Sequence, residues 1–519
     1  MDRALREPHR AGSLPEMSPL SYHERTKHGL DGYAKGPETL DWSMQPDPFR
    51  TYSGAKKTFL PLAANELGFR SFYGKNELIA ASIESLGSLL QLSMGLSAWK
   101  EYGPDKWALR CNPSSGNLHP TECYVLALNV PGMENGLHHY VSLDHSLELR
   151  CAVSWEGETR LLFGLSSIHW REAWKYGERA FRYCQLDIGH ALGALRYAAA
   201  MLGWGLGLVD SPEDVLGTRR SEDYLNAEHE EFDIFLEADL GSGINDFPLL
   251  DMQEWAGKAN RIDPYPMYAW PVIEEVAHST RRKTALPSGK RRFVQPESGD
   301  GIDAVKVILG RRSAQRFDAS YAMKKDVFFS MVEKLMPENG VPWDVWGFEP
   351  RAHPVFFVHR IEGMTPGLYI LPRSSARLKE KLSGEFLWEE NGPLFLLAKA
   401  DCRQVAKAIS CRQAIASDSC FALGMLADFS EIEADPWRYR QLHWEAGLIG
   451  HVLYLEAEAQ GLRGTGIGCF FDDAFHELLG ISDQAFQSVY HFTVGMPMTD
   501  ERITTLPPYP DRRMTWKEP

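Results

Sequence analysis

Three short stretches of this sequence hold residue types whose spacing could do chemistry. Gly310-Arg311-Arg312-Ser313-Ala314-Gln315-Arg316-Phe317 places two guanidinium groups, a hydroxyl and backbone N–H groups within one turn, just ahead of an expected helical stretch. A phosphate monoester needs that donor set, because guanidinium forms paired charge-assisted bonds to phosphate and a helix start offers free N–H groups. Arginines of this kind also fit plain surface charge. Asn112-Pro113-Ser114-Ser115-Gly116-Asn117-Leu118-His119-Pro120 comes before a strand-like run. Its small residues let backbone groups approach the edge of a flat polar ring, and Asn117 can donate and accept at once. The same residue types are ordinary turn formers, and His119 beside Pro120 reads as structural. Arg463-Gly464-Thr465-Gly466-Ile467-Gly468-Cys469 directly follows a helical pattern. A dinucleotide loop must instead leave a strand and open a helix, so this order excludes a Rossmann site. What remains is glycine-rich backbone able to close over a cofactor.

The elements that must position these stretches fall into two halves. The chain of 519 residues is too long for one ordinary core. The expected division is a first domain over 18–257, a linker over 258–301 and a second domain over 302–519. The linker reading rests on Pro264, Pro266, Pro271, Pro287 and Pro296 and on the basic clusters Arg281–Lys283 and Lys290–Arg292. The halves resemble each other. Asp187-Ile188-Gly189-His190 aligns with Glu445-Ala446-Gly447-Leu448, and Arg182, Leu195, Ala199 and Gly203 align with Arg440, Leu453, Ala457 and Gly461, all at an offset of 258. Positions 195, 199 and 203 share one helix face and end in a glycine suited to a C-cap. Gly136-Leu137-His138-His139-Tyr140 similarly parallels Gly367-Leu368-Tyr369. Helices are expected around 77–98, 184–203, 325–336 and 441–460, and strands around 123–130, 232–238, 354–359 and 490–494. No βαβ alternation is visible, so the fold class is α+β, with helices around a mostly antiparallel sheet.

Composition narrows the functions. Apolar residues make up 44% and charged residues 24%, as in ordinary globular chains. The formal charge of -15 argues against a nucleic-acid partner and confines any anion site to a small, focused patch. No apolar run approaches a membrane span, and the start, Met1 to Met17, reads as a frayed tail rather than a secretory signal. Eight cysteines without a C-x-x-C pair make a disulfide framework or a zinc site improbable, and a cytoplasmic, reduced setting is expected.

Taken in order, these motifs resemble the nitroreductase family. The octamer at 310 is similar to its R-R-S-x-R opening and Pro113–Asn117 to its P-S-x-G-N segment. The run at 463 takes the place of its flavin-edge loop, and Val494-Gly495-Met496-Pro497 with Arg502 is similar to its final strand and late basic residue. Lys175-Tyr176 ahead of Gly189-His190 resembles the branch of SagB-type azoline dehydrogenases. The resemblance implies a tandem duplication of the nitroreductase fold, an intrachain pseudo-dimer with one good FMN site and one degenerate site. It implies that Arg311, Arg312, Ser313 and Arg502 hold the phosphate and that Ser114, Ser115 and Asn117 touch the ring. Gly466 and Ile467 would offer backbone N–H groups to N5, while Lys175 and Tyr176 assist proton removal. Ala434 stands where a second Tyr176 would, so only one copy keeps the pair. Gln315 departs from the family, which often has Arg or Lys there; without that charge, a lower flavin potential is expected. The implied function is FMN-dependent oxidoreduction by a ping-pong cycle on a small-molecule or peptide substrate, with dioxygen or NAD(P)H as second substrate. An NAD(P)H-driven nitro or quinone reductase, or a flavin-binding scaffold without turnover, are the other readings.

Overall fold

Two helices of equal length cross at the centre of the protein, Ala180–Met201 and Arg438–Ala459. Every residue of the first is buried, and so is most of the second. A helix without a solvent face is a core element, so each ionisable residue on it must find a partner. Both helices keep the offset of 258 over their whole length, and both stop at a left-handed glycine, Gly203 (φ +72°) and Gly461 (φ +70°). The crossing is reciprocal. A Cβ on Gly189 would collide with the Trp444 carbonyl, and one on Gly447 with the Leu186 carbonyl, which is the same contact read from the other helix. Arg182 of the first half pairs with Asp472 of the second at 2.8 Å, and Arg440 of the second with Asp233 of the first at 2.7 Å.

The computed structural model describes residues 17–510 and 512, apart from 213–214, 219, 221–222, 225–226, 253, 285, 287–300, 338–339 and 376. Each half supplies one seven-stranded sheet whose ladders are all antiparallel. The first runs 56–59, 146–152, 136–141, 121–128, 160–167, 231–239 and 205–209 from edge to edge. The second runs 389–391, 394–399, 367–370, 352–358, 421–428, 486–495 and 463–467. Alternation along each strand divides the core. Val125, Ala127, Phe163 and Leu165 face the crossed helices in a core continuous through both halves, while Tyr124, Leu126, Leu128 and Leu162 face a smaller outer cluster. The fold is the expected α+β duplication.

Three local expectations change. The helix read over 77–98 is Ile83–Ser93, opened by a Ser82–Ser85 capping box, and Leu96–Tyr102 is already a strand. That strand pairs with Asp105–Arg110 and also with Thr504–Leu506 from the end of the chain, so the second half reaches across to the first. The segment read as a linker contains a packed helix, Pro271–Ser279, whose Val272, Ile273, Val276 and Ala277 join the main core. Proline at the first helical turn starts a helix as readily as it stiffens a spacer, and Arg281 pairs with Glu231 at 2.7 Å. The cluster Lys290–Arg292 and the tail 1–16 lie outside the described residues. Finally, the arginine octamer does not precede a helix. Arg311 caps the end of the short helix Ala304–Gly310, and the next helix begins at Lys325. Among the described residues no helix is long and apolar enough to cross a membrane.

Candidate functional site

A cavity of about 470 Å³ opens at the seam and draws its walls from both halves. The first half contributes the turn 112–117 and the second contributes Arg311, Arg312, Ser313, Gln315 and the strand 463–467. Arg311 and Ser115 therefore face one cleft. The C-terminal arm closes one side through Met498, Thr499, Asp500, Ile503 and Thr505.

The turn is held from below by Asp187 on the first long helix. The Ser115 N–H donates to its carboxylate at 3.0 Å and the Ser115 hydroxyl at 2.9 Å. Gly116 (φ +58°) and Asn117 (φ +60°) both take the left-handed conformation, which glycine and asparagine adopt most readily. The Asn117 amide donates to the Ala108 carbonyl at 2.9 Å, so its nitrogen anchors the turn. His119 is buried 3.3 Å from the same carbonyl and also lines the cavity.

The opposite end is cationic. Arg311 is only 5% exposed, donates to the Arg110 carbonyl at 3.0 Å, lies over the Tyr454 ring and leaves Nε without a partner. Arg312 bonds to Ser97 and to backbone carbonyls. Among the described residues neither guanidinium forms an ion pair. Burial pushes Arg312 down to about 10 and also lowers Arg311. Lys100, on the same wall, is lowered by burial and then by Arg312 and Arg463. Glu458 accepts the Arg312 backbone N–H at 3.3 Å and lies 3.8 Å from Arg463, so the cations outnumber the carboxylate beside them, and desolvated excess cations call for an anion. The Ser313 hydroxyl lies 3.0 Å from the Tyr454 hydroxyl.

Strand 463–467 forms the wall between the two ends. A Cβ on Gly466 would collide with Tyr490 and one on Gly468 with Tyr183, so both residues have to be bare backbone. The Gly466 N–H already donates to Tyr454 at 3.0 Å, and Ile467 lines the cavity beside it. Tyr176 lines the cavity as well. Lys175 stands just behind it: a Cβ on Gly116 would fall 2.5 Å from the Tyr176 hydroxyl and 3.1 Å from Lys175 Nζ. Burial lowers Lys175, and burial followed by Glu172 raises Tyr176. Arg502 is the expected residue that is not brought here. It is exposed and paired with Asp500 at 2.6 Å, because the arm points its side chain to solvent while Asp500 faces the cavity.

Several residues at the site were given no role there from the sequence. Asp187 was noticed only as part of a repeat, yet burial raises its carboxyl to about 7 against the Ser114 and Ser115 bonds that lower it. Glu172 is fully buried with both oxygens unpartnered, and burial followed by Asp187 raises it well above its ordinary range. His190 bonds to Tyr490 at 3.0 Å, and both line the cavity. The available signal was an Asp and a His three residues apart within one buried helix.

The pseudo-equivalent place in the other half is built differently. Asp187 corresponds to Glu445, which pairs with Arg373 and accepts the Arg351 and Ala352 N–H groups at 2.9 and 3.1 Å. Tyr454 corresponds to Arg196, paired with Asp344 at 2.7 Å, and His190 corresponds to Leu448. There Glu445 and Arg196 each have a protein partner of opposite charge.

Two antiparallel sheets around a pair of reciprocally crossing helices, with one two-ended cavity at their seam, define a fused α+β pseudo-dimer. Residues 308–496 match the model of the nitroreductase family. The second half thus carries a nitroreductase-family domain, and the first half repeats its fold. A nitroreductase-like protein of Anabaena variabilis shares the whole tandem arrangement, with a TM-score of 0.69 and 21% identity over 92% of this chain and 99% of that one. A nitroreductase-like protein of Methanocaldococcus jannaschii is 26% identical over 114 residues, or 20% of this chain and 58% of the relative's length.

Proposed function

We propose that this chain is an FMN-dependent oxidoreductase with one flavin site, working as a SagB-type dehydrogenase on a small-molecule or peptide substrate. The observation that carries the reading is Arg311: a buried guanidinium without a carboxylate partner, next to Arg312, in the same cavity as the turn anchored by Asp187. The residues fit the cofactor at both ends. Arg311, Arg312 and Ser313 supply charge and hydroxyl to a phosphate, with Lys100 in place of the expected Arg502. Ser114, Ser115 and the Asn117 oxygen supply polar atoms to a ring edge. Gly466 and Gly468 let the wall pack closely on Tyr490 and Tyr183, so that bare backbone faces the place of a flat ring. When bound, FMN would supply a two-electron carrier that takes a hydride and passes it on.

The chain's own part is to bind, orient and move protons. Lys175, lowered by burial, reaches its neutral form at lower pH than an exposed lysine does and can then accept a proton. Tyr176, held protonated by burial, donates a hydrogen bond beside it. The convergence of these two groups on Gly116 favours dehydrogenation, re-oxidised by dioxygen, over reduction driven by NAD(P)H.

The first test is the purified protein itself: it is expected to be yellow and to release FMN on denaturation. Arg311→Ala removes a charge-assisted contact of about 1.5–3 kcal/mol, so FMN is expected to bind about 10–100-fold more weakly. A colourless protein that takes up no FMN overturns the reading. Lys175→Ala is expected to keep FMN and lose product formation. Unchanged turnover removes the dehydrogenase assignment, and rapid bleaching by NADH or NADPH in stopped flow supports the reductase instead. FMN binding without turnover on any donor marks a scaffold.

A further inference from the structure

Six of the eight cysteines are buried, and burial makes such thiols inert packing. Cys411 and Cys469 differ. Both are partly exposed, and their sulfur atoms lie 2.6 Å apart, about half an ångström more than a disulfide bond and well inside nonbonded contact. They come from separate elements. Cys469 follows the strand 463–467 and lines the cavity, whereas Cys411 lies in the turn between helices Arg403–Ile409 and Ala414–Asp418. That turn is strained, with Cys411 at φ +50° and Arg412 at φ +61°, a conformation costly for residues other than glycine. It already leans on the cavity wall: Gln413 donates from Nε2 to the Cys469 carbonyl at 3.1 Å, and the Phe471 N–H donates to Ile409 at 2.7 Å.

We propose that Cys411 and Cys469 form a thiol–disulfide site that exchanges with low-molecular-weight disulfides and, when closed, staples the turn 410–413 to the cavity wall. The surroundings choose the attacking sulfur. The close contact with Cys411, with His28 and Arg179 nearby, pulls the Cys469 thiol below its ordinary range, while the same contact raises Cys411. An electropositive, partly exposed thiolate is the reactive kind. The Cys469 thiolate attacks one sulfur of the small disulfide, whose S–S bond breaks as one thiolate leaves. Cys411 then gives up its proton and attacks the Cys469 sulfur, forming the protein disulfide and expelling the second thiolate. Two protein thiols are oxidised, one small disulfide is reduced to two thiols, and the leaving sulfurs take up the protons.

The test uses the full-length protein equilibrated in glutathione buffers of graded oxidation, then quenched with a maleimide and mapped by peptide mass spectrometry. One intrachain link, Cys411 to Cys469, is expected. In Cys411→Ser the glutathione adduct should collect on Cys469, and in Cys469→Ser the adduct on Cys411 should form at least about tenfold more slowly, following the thiolate fraction. Closure should slow amide exchange over 410–415 and 466–470. Two thiols that remain alkylatable in fully oxidised glutathione overturn the site. Equal rates in the two variants overturn the choice of nucleophile, and unchanged amide exchange overturns the staple. None of these readouts depends on flavin.

Discussion

Gln315 and Asp187 make opposite contributions to the same cavity. Gln315 is exposed at the cationic end and brings no charge of its own. If flavin binds as proposed, Gln315→Arg should raise its two-electron potential by about 30 mV, equivalent to one charge-assisted bond of about 1.4 kcal/mol. A redox titration against the unaltered protein reads this directly, and an equal or lower potential counts against the assignment. Asp187 acts through burial, which lifts its carboxyl to about 7 from an ordinary value near 4. The folded chain therefore holds a proton that the unfolded chain has released. This contribution is present below about pH 4 and is lost as pH rises through about 7, so the ligand-free protein should weaken across that window. Denaturant midpoints measured from pH 4 to 8 should fall less in Asp187→Asn than in the unaltered protein. Identical slopes would show that Asp187 is not the group that titrates.

The crossing of the two long helices sets the spacing of everything at the seam. Gly189 and Gly447 bring the backbones together, each against the other helix's carbonyl. Gly447→Ala has no flexible side chain to push aside, so it should cost about 1–3 kcal/mol by overpacking. Thermal unfolding would register this as a lower Tm, and an unchanged Tm would mean that the helices can separate freely. The glycines, the capping residues Gly203 and Gly461 and the matched helix faces were legible because helical periodicity is a local signal. The helix within 258–301 was not, since proline is ambiguous between spacer and helix start until the surface it packs on is known. Arg311 and Ser115 could be placed together by motif order. Asp187 could not, because its role is fixed by a turn 72 residues away along the chain. Arg502 failed for a similar reason: Asp500, two residues away, claims its side chain.

At the scale of the molecule, the two ends of the cavity belong to different halves, and the matching place in the other half is filled by the Glu445–Arg373 and Arg196–Asp344 pairs. One FMN per chain is therefore expected. Absorbance set against protein concentration measures this, and a ratio of two would require the second place to open. The terminal strand 504–506, added to the 96–110 hairpin, holds the halves in this register from outside. Joining the halves has a consequence of another kind. In an assembly of two identical chains, every substitution is written twice, so neither pocket can alter without the other. Here the constant offset of 258 along both crossing helices records what was once the same text, while Asp187 and Glu445, or Tyr454 and Arg196, show the two copies edited separately. One copy could then become a buttress and the other a workplace, each free of the compromise that symmetry imposes.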